Sequence, residues 1–125
     1  MNVFLWIVAG LLAAVFLTAG LMKLTQDRRK LVANPSMKWT EDFSAGTIKL
    51  IGTAEVLGAL GLILPGAFGL ATVLVPLAAT GLAVLMVGAA ITHTRRKEPQ
   101  PIVVNTVLLI LAVTVAVFRF GPNSF

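Results

Sequence analysis

Cysteine is absent from this chain, histidine occurs once, and acidic residues number five. Without cysteine there is no disulfide, no thiol relay and no thiolate for a metal. One imidazole and five scattered carboxylates also argue against a dedicated multi-ligand metal site. Charge as a whole is scarce: 12% of residues are Asp, Glu, Lys or Arg, against about 25% in a soluble domain. So few charged side chains cannot cover a water-facing surface. Ser36, Ser44 and Ser124 lie outside the apolar runs, and the lone histidine has no evident nucleophile beside it. Hydrolase, transferase and protease chemistries therefore find no support.

What is present is apolar. Hydrophobic residues make up 58% of the chain, and the mean hydropathy is +0.95. Four stretches approach the roughly 20 residues needed to cross a hydrocarbon core. They are Asn2 to Met22, about Thr47 to Leu64, about Ala67 to Thr92, and Ile102 to Phe118. A cleaved leader is the competing reading of the first stretch. It lacks a basic start, its apolar run is too long and basic residues follow it, so a retained anchor is expected. Backbone in lipid must satisfy its own hydrogen bonds, which predicts helices rather than open strands. The expected fold is all-α: a single transmembrane domain over 1–125, built as an antiparallel four-helix bundle. A tight hairpin at Pro65-Gly66 makes the second and third helices neighbours, and Pro76 is expected to kink the third.

The formal net charge is +5 and the pI near 10.5. Lys23, Arg28, Arg29, Lys30 and Lys38 fall between the first two stretches; Arg95, Arg96 and Lys97 fall between the last two. The connection around Pro65-Gly66 has no basic residue. The positive-inside rule then puts both basic loops in the cytoplasm and both termini on the non-cytoplasmic side, with Arg119 as a minor dissent. Membrane lipids with anionic headgroups are the partners this charge predicts; no motif points to nucleic acid. Loop 23–46 reads either as one or two short interfacial helices broken at Asn34-Pro35, with Trp39 and Phe43 at the membrane boundary, or as a solvated topogenic loop. Small residues at Ala9/Ala13, Gly10/Ala14, Gly58/Gly61, Ala79/Ala83 and Gly81/Gly88 mark close-packing faces, within the chain or in a homo-oligomer. The final FGPNSF reads as an unstructured tail.

Glu55 is the informative exception, since it lies inside the run IKLIGTAEVLGALGLIL at 48–64. A carboxylate near the middle of a membrane helix costs roughly 2.5–3.5 kcal/mol and is normally paired, hydrated or protonated. With the expected topology Glu55 lies about 10 Å beyond Ile48, measured from the cytoplasmic side. Asn105 in the fourth helix and Lys23 and His93 at helix ends converge on the same third of the bundle. Glu55, Lys23, His93 and Asn105 are therefore the candidate ligand-binding residues, around a polar pocket open to the cytoplasm, with Asn105 as a hydrogen-bonding neighbour of Glu55. Each has a plainer reading: Glu55 as a helix-to-helix clamp, Lys23 and Lys49 as snorkelling side chains, His93 as a helix C-terminal cap, Asn105 as a tie between helices.

The segments GLMKL at 20–24, IGTAEVLGALGLILP at 51–65 and VGAAITHTRRKEP at 87–99 resemble the DoxX-like family of small bacterial membrane proteins. The resemblance implies a four-helix bundle in a bacterial inner membrane. It also implies an association with quinone-linked sulfur metabolism or superoxide detoxification, and it marks Lys23, Glu55 and His93. Three functions follow. The first is a non-catalytic accessory subunit that binds a small molecule, with a quinone as candidate ligand and a membrane oxidoreductase as partner. The second is a small proton-linked carrier with Glu55 titrating. The third is an assembly or scaffold factor for another membrane complex.

Overall fold

Glycine and proline decide where the long helices of this chain stop and start. In a computed structural model, residues 2–121 are described, apart from the side chains of residues 28, 35–37 and 100. Helix α1 spans Asn2–Thr25, a short α2 spans Arg28–Ala33, and a 3-10 segment spans Pro35–Asp42. Three further helices follow: α3 over Ala45–Phe68, α4 over Leu74–Arg95 and α5 over Pro99–Phe120. Residues 122–125 of the expected C-terminal tail lie outside the described residues, and Phe120 belongs to α5.

The expected hairpin at Pro65-Gly66 is displaced. Helix α3 runs through Pro65 to Phe68 and ends on Gly69, whose φ of +67° is left-handed. The N–H groups of Gly69 and Leu70 both return to the Pro65 carbonyl, closing the last turn. Glycine adopts this conformation without steric cost, so it ends the helix more decisively than the proline before it. The expected kink at Pro76 is likewise absent, because α4 begins at Leu74. Pro76 is its third residue, where the backbone N–H has no helical partner to lose. Pro99 and Pro101 occupy the first turn of α5 for the same reason, and that helix is longer than its apolar run suggested.

Four helices are long and apolar enough to cross a membrane: Asn2–Thr25, Ala45–Phe68, Leu74–Arg95 and Pro101–Phe120. They pack as a helical bundle in which α1 touches α3 and α5, and α4 touches α3 and α5. Leu5, Leu12, Phe16, Leu62, Leu82 and Val115 fill its centre. The outside is apolar too: Val3, Ile7, Leu57, Val84, Val103 and Ile110 are exposed. So large an apolar exterior would drive aggregation in water and matches acyl chains in a bilayer.

Between α1 and α3 the chain is structured. Asp27 caps α2 by accepting from the Lys30 N–H at 2.9 Å, and α2 packs on the 3-10 segment. The break between them falls at Asn34, as the two-helix reading of the loop expects. We call α2 and the 3-10 segment the strap. It lies at the end of the bundle where α1 and α4 finish and α3 and α5 begin. At the opposite end, Arg119 donates to Asn2 at 2.7 Å and lies 5.9 Å from the Trp6 ring centre.

Candidate functional site

The site begins with two glycines. A Cβ built on Gly20 would meet the Gly52 carbonyl oxygen at 2.7 Å, and one on Gly52 would meet Lys23 Cβ at 2.8 Å. Helices α1 and α3 thus approach closely here, because neither carries a side chain at the crossing. Lys23 lies one turn after Gly20, and Glu55 one turn after Gly52. Side chains on a helix lean toward its N-terminus. In this antiparallel pair Lys23 leans inward along α1 while Glu55 leans outward along α3, and they meet. Lys23 Nζ is 2.7 Å from Glu55 Oε1.

The strap closes over this pair. The Trp39 ring centre lies 5.4 Å from Lys23 Nζ, within cation–π range. It meets the His93 ring edge-to-face at 6.1 Å between centres and the Phe43 ring likewise at 5.7 Å. His93 Nδ1 is 2.8 Å from Glu98 Oε1; with a carboxylate opposite, Nδ1 is the donor. Arg96 donates to the same Glu98 oxygen at 3.3 Å, to Asp42 at 3.0 Å and to Glu41 at 2.9 Å. A continuous series of contacts therefore runs from Glu55 through Lys23, Trp39, His93 and Glu98 to Arg96 and back to the strap.

Electrostatics outside the spans follow from these bonds. The hydrogen bond from His93 holds the Glu98 carboxyl below its ordinary range; partial burial opposes this and nearby Arg96 adds to it. Hydrogen bonds to Asp42 and Glu41 raise the Arg96 guanidinium further above its already high value. Both effects favour the charged, closed form of the strap.

All four residues singled out from the sequence are buried: Lys23 and Glu55 are 4% exposed, His93 7% and Asn105 9%. They do not all touch. Lys23 and Glu55 pair directly, whereas His93 reaches Lys23 only through Trp39. Asn105 makes no hydrogen bond to Glu55, correcting that expectation; its Nδ2 is buried without a partner among the described residues. Glu55 Oε1, by contrast, has Lys23 Nζ as its partner at 2.7 Å. Lys49, the other base near α3, turns away and donates to the Leu24 carbonyl at 3.4 Å.

The pocket is not open either. What remains beside Lys23 is a cleft of about 10 Å³ lined by Gln26, Leu31, Ala45, Ile48 and Lys49, enough for one water. Trp39 lies over Lys23 on the strap side. Among the described residues no group of three or more His, Cys, Asp or Glu is placed to hold a metal ion.

Sequence reading missed Trp39, Glu98, Arg96, Glu41 and Asp42 as parts of the site. A weak signal existed: the strap holds the acidic pair Glu41-Asp42, and the connection between α4 and α5 holds Arg96 and Glu98. Nothing in the spacing said that these two connections meet. Comparison with curated proteins and with solved structures gave no match. The DoxX-like family profile matches residues 7–115, which takes in α3, α4, the strap, most of α1 and α5 and every residue of this site, and the chain belongs to that family of membrane proteins.

Proposed function

We propose that the protein is a non-catalytic accessory subunit in a bacterial inner membrane, holding the head group of a quinone-class molecule at its strap end. The basic residues of the strap and of the α4–α5 turn orient that end toward the cytoplasm, with both chain ends on the other side. One observation carries the reading. Asn105 Nδ2 is buried near the strap end without a hydrogen-bond partner among the described residues, and Glu55 Oε1 is held there by Lys23 Nζ alone. Buried polar atoms are nearly always satisfied by protein, water or ligand. An amide donor and a carboxylate acceptor complement a head group that carries a carbonyl on one edge and a hydroxyl on the other. The carbonyl accepts from Asn105, the hydroxyl donates to Glu55, and the apolar tail lies among the lipid-facing helices.

Entry requires Trp39 to leave its place above Lys23. The strap is held partly by solvent-accessible ion pairs, which contribute about 0–1 kcal/mol each, so opening is within thermal reach. Redox chemistry at the head group would draw its electrons from a membrane oxidoreductase partner, and this chain would position the acceptor.

The test uses Trp39 as reporter. The chain has two tryptophans, so Trp6→Phe leaves Trp39 alone. In nanodiscs, a short-tailed ubiquinone or menaquinone analogue is expected to quench Trp39 saturably, and Asn105→Leu is expected to abolish saturation. Quenching that rises linearly, with an unchanged melting temperature, would refute the reading.

A further inference from the structure

The outer face of the bundle carries a second feature, separate from the Lys23–Glu55 pair. Helices α4 and α5 leave a groove of about 440 Å³, lined by Val87, Ala90, Ile91, Thr94 and Arg95 on one side and Leu109 on the other. Its origin is local. Positions 87, 90, 91, 94 and 95 share one stripe of α4 at helical spacing. The stripe narrows at Ala90, and beside it a Cβ added to Gly88 would meet nothing within 4 Å. The volume lies within the roughly 300–1,000 Å³ of small-molecule sites.

Polar groups collect at one end only. Thr94 and Arg95 close the groove where the candidate span Leu74–Arg95 ends. The two arginines there are used differently. Arg96 turns to the strap and binds Glu41, Asp42 and Glu98. Arg95 makes no ion pair or hydrogen bond through its side chain among the described residues. A guanidinium at the boundary of an apolar span, unclaimed by the protein and opening onto an apolar furrow, is matched by a phosphate attached to a hydrocarbon chain. Arginine binds phosphate through two parallel N–H donors, and lipid headgroups are the phosphates at that depth.

We propose that this groove is a specific site for an anionic glycerophospholipid. One acyl chain lies between α4 and α5 over Ala90, and the phosphate sits on Arg95. The site is distinct from the head-group site under the strap, since Glu55, Lys23 and Asn105 do not line it.

Native mass spectrometry of the full chain, released from nanodiscs of equimolar phosphatidylglycerol and phosphatidylcholine with matched acyl chains, tests it. One phosphatidylglycerol is expected to be retained preferentially. Arg95→Gln, an exposed position, should weaken that retention about five-fold. Ala90→Trp, which fills the furrow, should abolish it with an unchanged far-UV circular dichroism spectrum. Lys38→Gln, on the strap, should retain the lipid like the parent chain. Equal retention of the two lipids, parental retention by Arg95→Gln or by Ala90→Trp, or displacement of the lipid by glycerol phosphate alone would overturn the proposal.

Discussion

Replacing Lys23 by methionine tests whether the buried pair is mutually compensating. At 2.7 Å, two unit charges attract by about 6 kcal/mol at an effective dielectric near 20. That attraction is offset by the desolvation of both groups, so the informative quantity is what remains when one is removed. Breaking a buried pair typically costs about 3–5 kcal/mol. Here a ceiling applies. A stranded Glu55 can discharge by taking a proton, at about 3.7 kcal/mol at pH 7 if its ordinary value is near 4.3. Lys23→Met is therefore expected to destabilise by about 3–4 kcal/mol at pH 7 and by only about 1 kcal/mol at pH 5. Glu55→Leu should cost less, about 2 kcal/mol, because Lys23 lies two residues from the end of α1 and can snorkel outward. Lys23→Met/Glu55→Leu together should fall within about 1 kcal/mol of the parent or exceed it. The measurement is reversible unfolding by SDS in mixed micelles, followed by circular dichroism at both pH values. A coupling energy below about 0.5 kcal/mol, or a Lys23→Met penalty equal at the two pH values, would refute the reasoning.

Further outcomes are expected. Gly20→Ala places a methyl 2.7 Å from the Gly52 carbonyl oxygen and should cost about 1–3 kcal/mol in the same unfolding assay. Gly10→Ala meets nothing within 4 Å and should stay within about 0.5 kcal/mol. Because Glu98 is held below its ordinary value in the folded chain, its contribution to strap closure is complete above that ordinary value, near 4.3. It is lost as the pH falls through the lower folded value. Protection of the Lys38 region from proteolysis should therefore be flat from pH 7 to about 4.5 and fall below it. Glu98→Gln should show weaker protection already at pH 7, with a smaller further loss. Ala71 holds a left-handed φ of 50°, so Ala71→Gly should stabilise by about 0.5–1 kcal/mol, read as a higher SDS midpoint.

The membrane character of the chain was legible because it depends on composition and run length, which one sequence displays directly. Glu55 and Lys23 were legible for a related reason: a charge inside or beside an apolar run stands out against its surroundings. Helix ends were less so. Pro65 looked like a stop, yet Gly69 four residues later carries the left-handed turn, and proline near a helix end is weaker punctuation than glycine with positive φ. Trp39 was the instructive miss. An indole between basic residues in a connecting loop suits the membrane boundary, and nothing local distinguishes that from an indole folded onto the bundle. What distinguishes them is the contact of Arg96 with Glu41 and Asp42, more than fifty residues apart in sequence. Such long-range pairings leave no periodic trace.

In lipid, burying apolar side chains gives helices little reason to associate, since acyl chains solvate them as well as neighbours do. Close backbone approach and polar contacts must supply the specificity. At the α1–α3 crossing both occur within one turn: Gly20 on Gly52 fixes how near the helices come, and Lys23 on Glu55 fixes their register. A slip of one turn along α3 would set Lys23 beside an apolar residue and strand Glu55, a loss comparable to that of Lys23→Met. The two devices are separable, however. A head group that hydrogen-bonds Glu55 and draws it from Lys23 leaves the glycine contact intact, so the bundle can exchange its internal ion pair for a ligand without losing the helix crossing. This division of labour also explains the strap: while the pair is closed, Trp39 shields a cation that lipid could not solvate. The Gly20→Ala variant should accordingly lose register together with any ligand-induced rise in melting temperature, whereas Trp39→Ala should keep the crossing and bind faster.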